Sequence, residues 1–386
     1  MCRRLLFCSA LLGLVLTSTN CPAQVSRSGL ISRSAAARYG LKRSWYTQIP
    51  LDGSRSRVDS VTTHVSNSQF QTIHEVVHAV GRFSFSERDL DRLGKPIGEA
   101  GAKERVEMKL KQLRAARLKP RLETKRVPEI TLYVQTSSGV LHALDGETGR
   151  ILWSTAVGDR DHPSMRPAAS DKYVAAVNGS HLYIIDQTDG SLRWRTRLSG
   201  SPGAGPGLSQ SMVFVPLFRG AIEAYPLEGE RRPWTFGSVG RALIQPTVTA
   251  NSVSWSTDRG YLYVGYAETT AVRYRTEIEE TFAAQSAFQG PNRLFMASLD
   301  GYVYALEETT GDILWRYSAG EPISQPPIII GDAVYVVADR GGLLRLSVET
   351  GERQWRSPRV RQFVASSNER VYATDAFDRL LIIDAK

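Results

Sequence analysis

The string in this chain that could do chemistry by itself is His74-Glu75-Val76-Val77-His78. It matches H-E-x-x-H: on a helix, two imidazoles four residues apart hold Zn²⁺ and the glutamate between them activates a water molecule. The match runs on to Gly81, but Ser84, a poor zinc ligand, stands where a third histidine would be needed. The local pattern argues for a strand instead. Thr72, His74, Val76 and His78 alternate on one face of an extended run that leads into Gly81, Phe83 and Phe85. At ~3.3 Å per residue, the two imidazoles of such a strand stand about 13 Å apart and cannot share one ion. The expectation is a strand, with no catalytic, metal or cofactor residue assigned. A helix over the same residues would instead make His74, Glu75 and His78 the site of a zinc hydrolase.

The elements around this string are repetitive. A β-hairpin, a tight turn and an aromatic-bearing strand recur at close to forty residues. Turn glycines fall at Gly139, Gly179, Gly220, Gly260, Gly301 and Gly341. Tryptophans follow at Trp153, Trp194, Trp234, Trp315 and Trp355, with Tyr274 in the remaining place. Pro167, Pro206, Pro246 and Pro326 keep the same period and mark the start of each innermost strand, where a missing N–H is tolerated. Self-similarity of this length predicts an all-β fold, a β-propeller of four-stranded antiparallel blades. A tryptophan at one fixed place per blade can wedge between neighbouring sheets. Laying residues 72–85 on the hairpin template, with Gly81 at its turn, gives eight blades. Seven blades, with that segment packed outside the ring, is the alternative. The last copy stops at Lys386 before its tryptophan strand, and Lys42 to Ile49, with Trp45, is expected to close the ring there.

The repeat strings resemble the pyrroloquinoline-quinone (PQQ) repeat family, whose blades read roughly G-x-L-Y-A-L-D-x-x-T-G-x-x-L-W. Residues 301–315 match through GYVYAL, Thr310-Gly311 and Leu314-Trp315; residues 139–153 match through GVLHALD, Thr148-Gly149 and Leu152-Trp153. Within that family the chain looks like the BamB-like envelope propellers, which scaffold outer-membrane protein assembly without chemistry of their own. The resemblance implies a protein-binding scaffold, and no cofactor is expected. The quinoprotein dehydrogenase branch implies PQQ, Ca²⁺ ligands and a catalytic Asp, and no residue here can be carried over to those roles. A PQQ-dependent oxidoreductase remains the alternative.

The rest of the chain bounds where it works. Arg3 and Arg4 precede an apolar run from Leu5 to Leu16, and small or polar residues follow to Ala23. Residues 1–23 read as a secretory signal peptide, 24–40 as a flexible segment and 41–386 as the propeller. Export to the periplasm or cell envelope follows. A lipoprotein cut before Cys21 is the rival, although Ser18, Thr19 and Asn20 make a poor lipobox. Cys2, Cys8 and Cys21 all lie in that leader, so thiols and disulfides cannot hold the mature fold.

The net charge of +9 is concentrated: residues 101–126 hold ten Lys/Arg against three Glu. This stretch reads as a basic insertion over about 94–126, helical from about Lys103 to Leu118, with Val106, Leu110 and Leu113 on one face. Lys111, Arg114, Arg117 and Arg121 are its candidate contact residues. Envelope proteins, anionic lipid heads or cell-wall polymers would suit it, and nucleic acid would not meet an exported protein.

Overall fold

The computed structural model describes residues 47–51, 56–78, 81–229, 232–277, 281–282, 284–357, 360–366, 370–375 and 380–384. The expected leader, Trp45 and the three cysteines lie outside them.

Every sheet is antiparallel, and all but one of the sheets are built from consecutive strands. The exception comes first. β1 (Val58–His78) pairs on one side with β2 (Gly81–Ser86) and on the other with β3 (Arg121–Thr136), and the sheet continues through β4 (Val140–Asp145) and β5 (Ile151–Ala156). Five four-stranded sheets follow, over residues 168–197, 207–237, 247–277, 287–318 and 328–357, and then three strands over 360–384. The short first strands of the second, third and fourth sheets lie against one another, as do those of the fifth and sixth. Four of the five begin just after Pro167, Pro206, Pro246 and the Pro326-Pro327 pair, and the fifth sheet's after Ser286, which leaves the sheets arranged radially as the blades of a propeller.

The blade count differs from the expected eight or seven. The described residues hold six sheets of four or more strands and a seventh of three. The hairpin around Gly81 exists, with His78 opposite Gly81 and Val76 opposite Phe83, but it is no blade of its own. β1 runs out of the first blade, and the chain returns through β2, the helix α1 (Gly98–Ala115) and the first half of β3. The insertion is thus wider than the basic stretch. It departs at the register shift between Val65 and Phe70 and rejoins near Pro128. At that shift, His64 Nε2 and Ser68 Oγ lie 2.8 and 2.5 Å from the Asp171 carboxylate of the second sheet. Burial opposes it, but those hydrogen bonds hold Asp171 below the usual carboxylate range. The expected closing strand lies mostly outside the described residues, and Thr47, Gln48 and Ile49 are not in a strand.

No sheet has a core to itself. Tyr173–Asn178, Met212–Leu217 and Ala333–Ala338 are buried at every position, whereas alternation had suggested half-buried strands. Alternate residues face successive neighbours. Val213 and Val215 pack on the second sheet, and Met212 and Phe214 on the fourth. Leu294 and Met296 pack likewise on the fourth sheet, and Phe295 and Ala297 on the sixth.

The recurring tryptophan joins one sheet to the next. Trp153 Nε1 donates to Gln187 O at 2.9 Å, Trp194 Nε1 to Leu227 O at 3.3 Å and Trp315 Nε1 to Val348 O at 2.8 Å, each acceptor lying in the outer turn of the following sheet. Trp153 and Trp315 also cover that turn's glycine: a Cβ on Gly190 would come within 2.5 Å of Trp153, and one on Gly351 within 2.5 Å of Trp315, whereas Gly229 in the turn that Trp194 meets is left open. Tyr274 covers Gly311 in the same way. Burying such a ring stabilises by about 4–6 kcal/mol before ordering costs. Trp234 differs. Its facing turn reads Thr269-Thr270 without glycine, and its buried Nε1 has no hydrogen-bond partner. At the hairpin turns, Gly139, Gly179, Gly220, Gly260 and Gly301 have positive φ, but in the sixth sheet the left-handed residue is Gly342 (φ 83°) rather than Gly341. Trp355 packs edge-on against Tyr335.

Gly190 and Gly229 share a left-handed backbone (φ 73° and 83°), yet nothing lies within 4 Å of a Cβ on Gly229. Gly229→Ala should therefore cost about 1 kcal/mol through backbone strain alone, and Gly190→Ala a further 1–3 kcal/mol through the clash with the indole. Urea unfolding of the two variants measures the difference, and equal midpoints would refute the interlock.

Candidate functional site

The insertion places the H-E-x-x-H residues on the β1 strand. His74 and His78 share the face that α1 covers, while Glu75 points to the opposite face. His74 Nδ1 lies 3.0 Å from Thr124 Oγ1, and the His78 ring stacks on Phe83 at 5.5 Å between centroids. Val76 between them joins Val106 and Leu113 of α1 in a small core. The two imidazoles are thus strand neighbours about 13 Å apart, each with a packing role. Among the described residues no group of three His, Cys, Asp or Glu side chains is arranged to hold a metal ion.

Glu75 anchors the insertion to the first blade. It pairs with Arg82 across the hairpin and lies 3.5 Å from Lys125 Nζ, which reaches Glu147 of the blade's outer turn at 2.7 Å. Burial opposes it, but Glu147 and Glu75 together hold the Lys125 ammonium above the ordinary lysine range. Beside this, Asp89 pairs with Arg150, Gln71 donates to Asp145 at 3.0 Å, and Arg88 reaches Asp145 at 3.5 Å. The buried carboxylates of the insertion and of the outer turn therefore interleave with arginine and lysine.

α1 spans Gly98–Ala115, five residues earlier than expected at its start, and ends before Arg117, whose φ of 56° breaks the helix. The candidate contact residues Lys111, Arg114, Arg117 and Arg121 are exposed and form no ion pair among the described residues.

Where the first strands converge there is a cavity of about 250 Å³, lined by Thr62, Arg166, Gln245, Thr247 and Gln285 with prolines and small residues. PQQ, a tricarboxylate, would need several free cations there. Arg166 is the one cation in that lining, and the amides of Gln245 and Gln285 already donate to Pro206 O and Pro246 O at 2.7 and 3.1 Å. The cavity does not fit that cofactor.

One surface was not anticipated. On the hairpin-turn side of the third and fourth sheets, exposed Val239 (51%) and Leu243 (38%) flank Arg241 along the chain, and the Arg241 guanidinium lies 5.2 Å from the ring of Phe218 (47% exposed). Arg241 Nε donates to Asp258 at 2.6 Å, and its backbone and side-chain hydrogen bonds hold that carboxyl below the usual range. Val239, Arg241, Asp258, Arg259 and Tyr261 line a depression of about 830 Å³ here. The sequence signal was Phe218, an aromatic residue two places before its turn glycine, where other copies read Ser137, Val177, Asp258 and Leu299.

Removing the Glu75 charge by Glu75→Gln should leave Arg82 and Lys125 less well balanced, at about 1–2 kcal/mol since both cations are partly solvated. Amide exchange over 72–77 and 121–127 should quicken about tenfold with the other sheets unchanged, and metal analysis should find no zinc to lose. Stoichiometric zinc that vanishes in His74→Ala would contradict this assignment.

A family profile described as "Outer membrane protein assembly factor BamB" matches residues 115–215 and 260–386, more than half of the chain. The outer membrane protein assembly factor BamB of Yersinia pestis is 20% identical over 276 residues, 66% of this chain and 61% of its own length. That of Moranella endobia is 20% identical over 292 residues, 70% and 64% respectively. The chain thus spans less than two thirds of the length of these relatives. Among solved structures, the computationally designed Ika8 protein aligns at a TM-score of 0.52 and 15% identity over 66% of this chain and 80% of its own, a likeness of fold. The chain belongs to the BamB family of PQQ-repeat propellers.

Proposed function

We propose that this chain is a non-enzymatic scaffold of the bacterial cell envelope, exported to the periplasm, that docks a protein of outer-membrane protein assembly. The observation that carries the reading is the Phe218, Val239 and Leu243 cluster around Arg241. It combines exposed apolar side chains with an arginine already held in place by Asp258, the composition of a protein-binding hot spot. The names of the curated relatives, assembly factors of the outer membrane, support the same role. The recurrent residues support it from the other side: indoles, turn glycines and turn aspartates are occupied in packing and turns. Asp145, for example, accepts hydrogen bonds from its own turn at 2.8 to 3.0 Å. The basic insertion supplies a second contact surface, suited to an anionic component of the envelope.

The test is capture from envelope extracts with the partner identified as an outer-membrane assembly protein. The double variant Val239→Asp, Leu243→Asp should weaken capture at least about thirtyfold while leaving the circular dichroism spectrum unchanged. Unaltered capture would reject this face as the docking surface. PQQ with Ca²⁺ added to the purified chain should give no dye reduction, and quinone-dependent turnover would overturn the non-enzymatic reading.

A further inference from the structure

Half of the ten basic residues in 101–126 are already committed. Lys103 pairs with Glu99 at 2.7 Å, and Arg105 donates to Leu90 O at 2.8 Å and lies 3.8 Å from Asp89. Lys109 donates to Gln112 at 3.0 Å and sits 3.8 Å over the Phe83 ring. Lys125 bridges Glu147 and Glu75, and Arg126 lies 5.3 Å from the Phe70 ring. Five others, Lys111, Arg114, Arg117, Lys119 and Arg121, are exposed and form no ion pair among the described residues.

These five collect at one end. α1 is about 27 Å long at 1.5 Å per residue, and they occupy its last turns and the link to β3. Leu118 packs with Val76 and Leu113, and Arg121 stands opposite Val77, next to the His78–Gly81 pair of β1 and β2. Of the contacts that fasten the insertion to its blade, Lys125 to Glu147 and Arg150 to Ser84 O lie nearest that end. His78, Gly81, Arg121 and Leu122 lie beyond them along the strands. The cationic end is therefore the free end of the lobe, and it also carries apolar side chains: Leu122 is 49% exposed, Phe83 37%, and Met108, on the helix, 63%.

We propose that this free end is a docking surface for anionic lipid headgroups, which deepens the reading of the chain as an envelope scaffold and rests on it. Two features favour a lipid surface over an acidic protein. The five cations are long and held by no neighbouring carboxylate, which suits a diffuse layer of phosphates more than a fixed pattern of carboxylates. Leu122 and Met108 have nothing to bury against in an acidic patch, whereas an interface of headgroups and acyl chains accepts both kinds of side chain at once. The orientation follows from the ion pairs of Glu75, Asp89 and Asp145, which hold the lobe on its blade while its tip meets the surface. No described helix is long and apolar enough to cross a membrane.

The test is sedimentation of the purified full chain with vesicles of phosphatidylcholine alone and of phosphatidylcholine mixed with phosphatidylglycerol, at low and raised salt. The chain should bind the mixed vesicles only, and raised salt should weaken binding. Each basic side chain near an anionic membrane contributes about fivefold, so reversing Arg114, Arg117 and Arg121 to Glu should weaken binding at least about a hundredfold. Leu122→Ser with Met108→Ser should weaken it several-fold and leave the salt dependence in place. Equal binding to both vesicle types, or a triple variant that binds as the native chain does, would overturn the proposal. So would binding of polyglutamate without binding of mixed vesicles, which assigns the tip to an acidic protein. The Val239→Asp, Leu243→Asp variant keeps the two readings apart. It should lose capture yet sediment like the native chain. In the native chain, capture without vesicle binding sinks the lipid surface alone, and vesicle binding without capture sinks the assembly role alone.

Discussion

An indole laid over a glycine of the next sheet, with its N–H bonded to that sheet's turn, is the contact on which this architecture depends. It works because the glycine has no Cβ and already sits in a left-handed backbone that most other residues avoid, so the ring can close to van der Waals distance. The glycine is what leaves room for the ring. A four-stranded sheet alone would leave both faces wet. Here each inner strand lends alternate residues to the sheet before and the sheet after, so stability belongs to the interfaces and unfolding should be shared among sheets.

That constraint also decides where function can reside. Residues that recur are committed to the interlock, so binding chemistry has to come from positions that break the period. Two places do so. At the junction of the third and fourth sheets, the interlock is incomplete at Trp234, and the same junction carries Phe218, Val239, Leu243 and Arg241 on its loop side. In the first sheet, a lobe of strand and helix grows out of the blade and is fastened by buried carboxylates between arginines and lysines. Glu75 belongs to that fastening, and the string that looks like a metalloprotease motif is a strand with one face under a helix and the other on an ion-pair network.

Much of this was legible in the sequence because a propeller writes its turns and wedges locally. Gly139 to Gly301, Trp153 to Trp355 and the prolines are short-range signals, and each sits where its period placed it. Gly81 was misread for a reason that is equally physical. A hairpin announces its turn and its alternation but not the sheet it joins, and β1 finds β3 across a segment of more than forty residues. The Gly341-Gly342 pair left the turn position undetermined by one residue. The loop-side cluster was invisible because it exists only once neighbouring sheets are brought together, with Phe218 as its one local trace. The unpaired cations at the lobe's tip were countable in advance, but which of the ten would be free depended on where the carboxylates of the blade came to lie.

Hydrogen exchange across the Trp315→Ala variant tests the central claim most directly. If the indole is what joins the fifth sheet to the sixth, protection should fall together in residues 302–318 and 342–357, while the second and third sheets keep theirs. Loss confined to 313–318, the strand that carries the substitution, would mean that the sheets stand independently and that the interlock is only a packing detail.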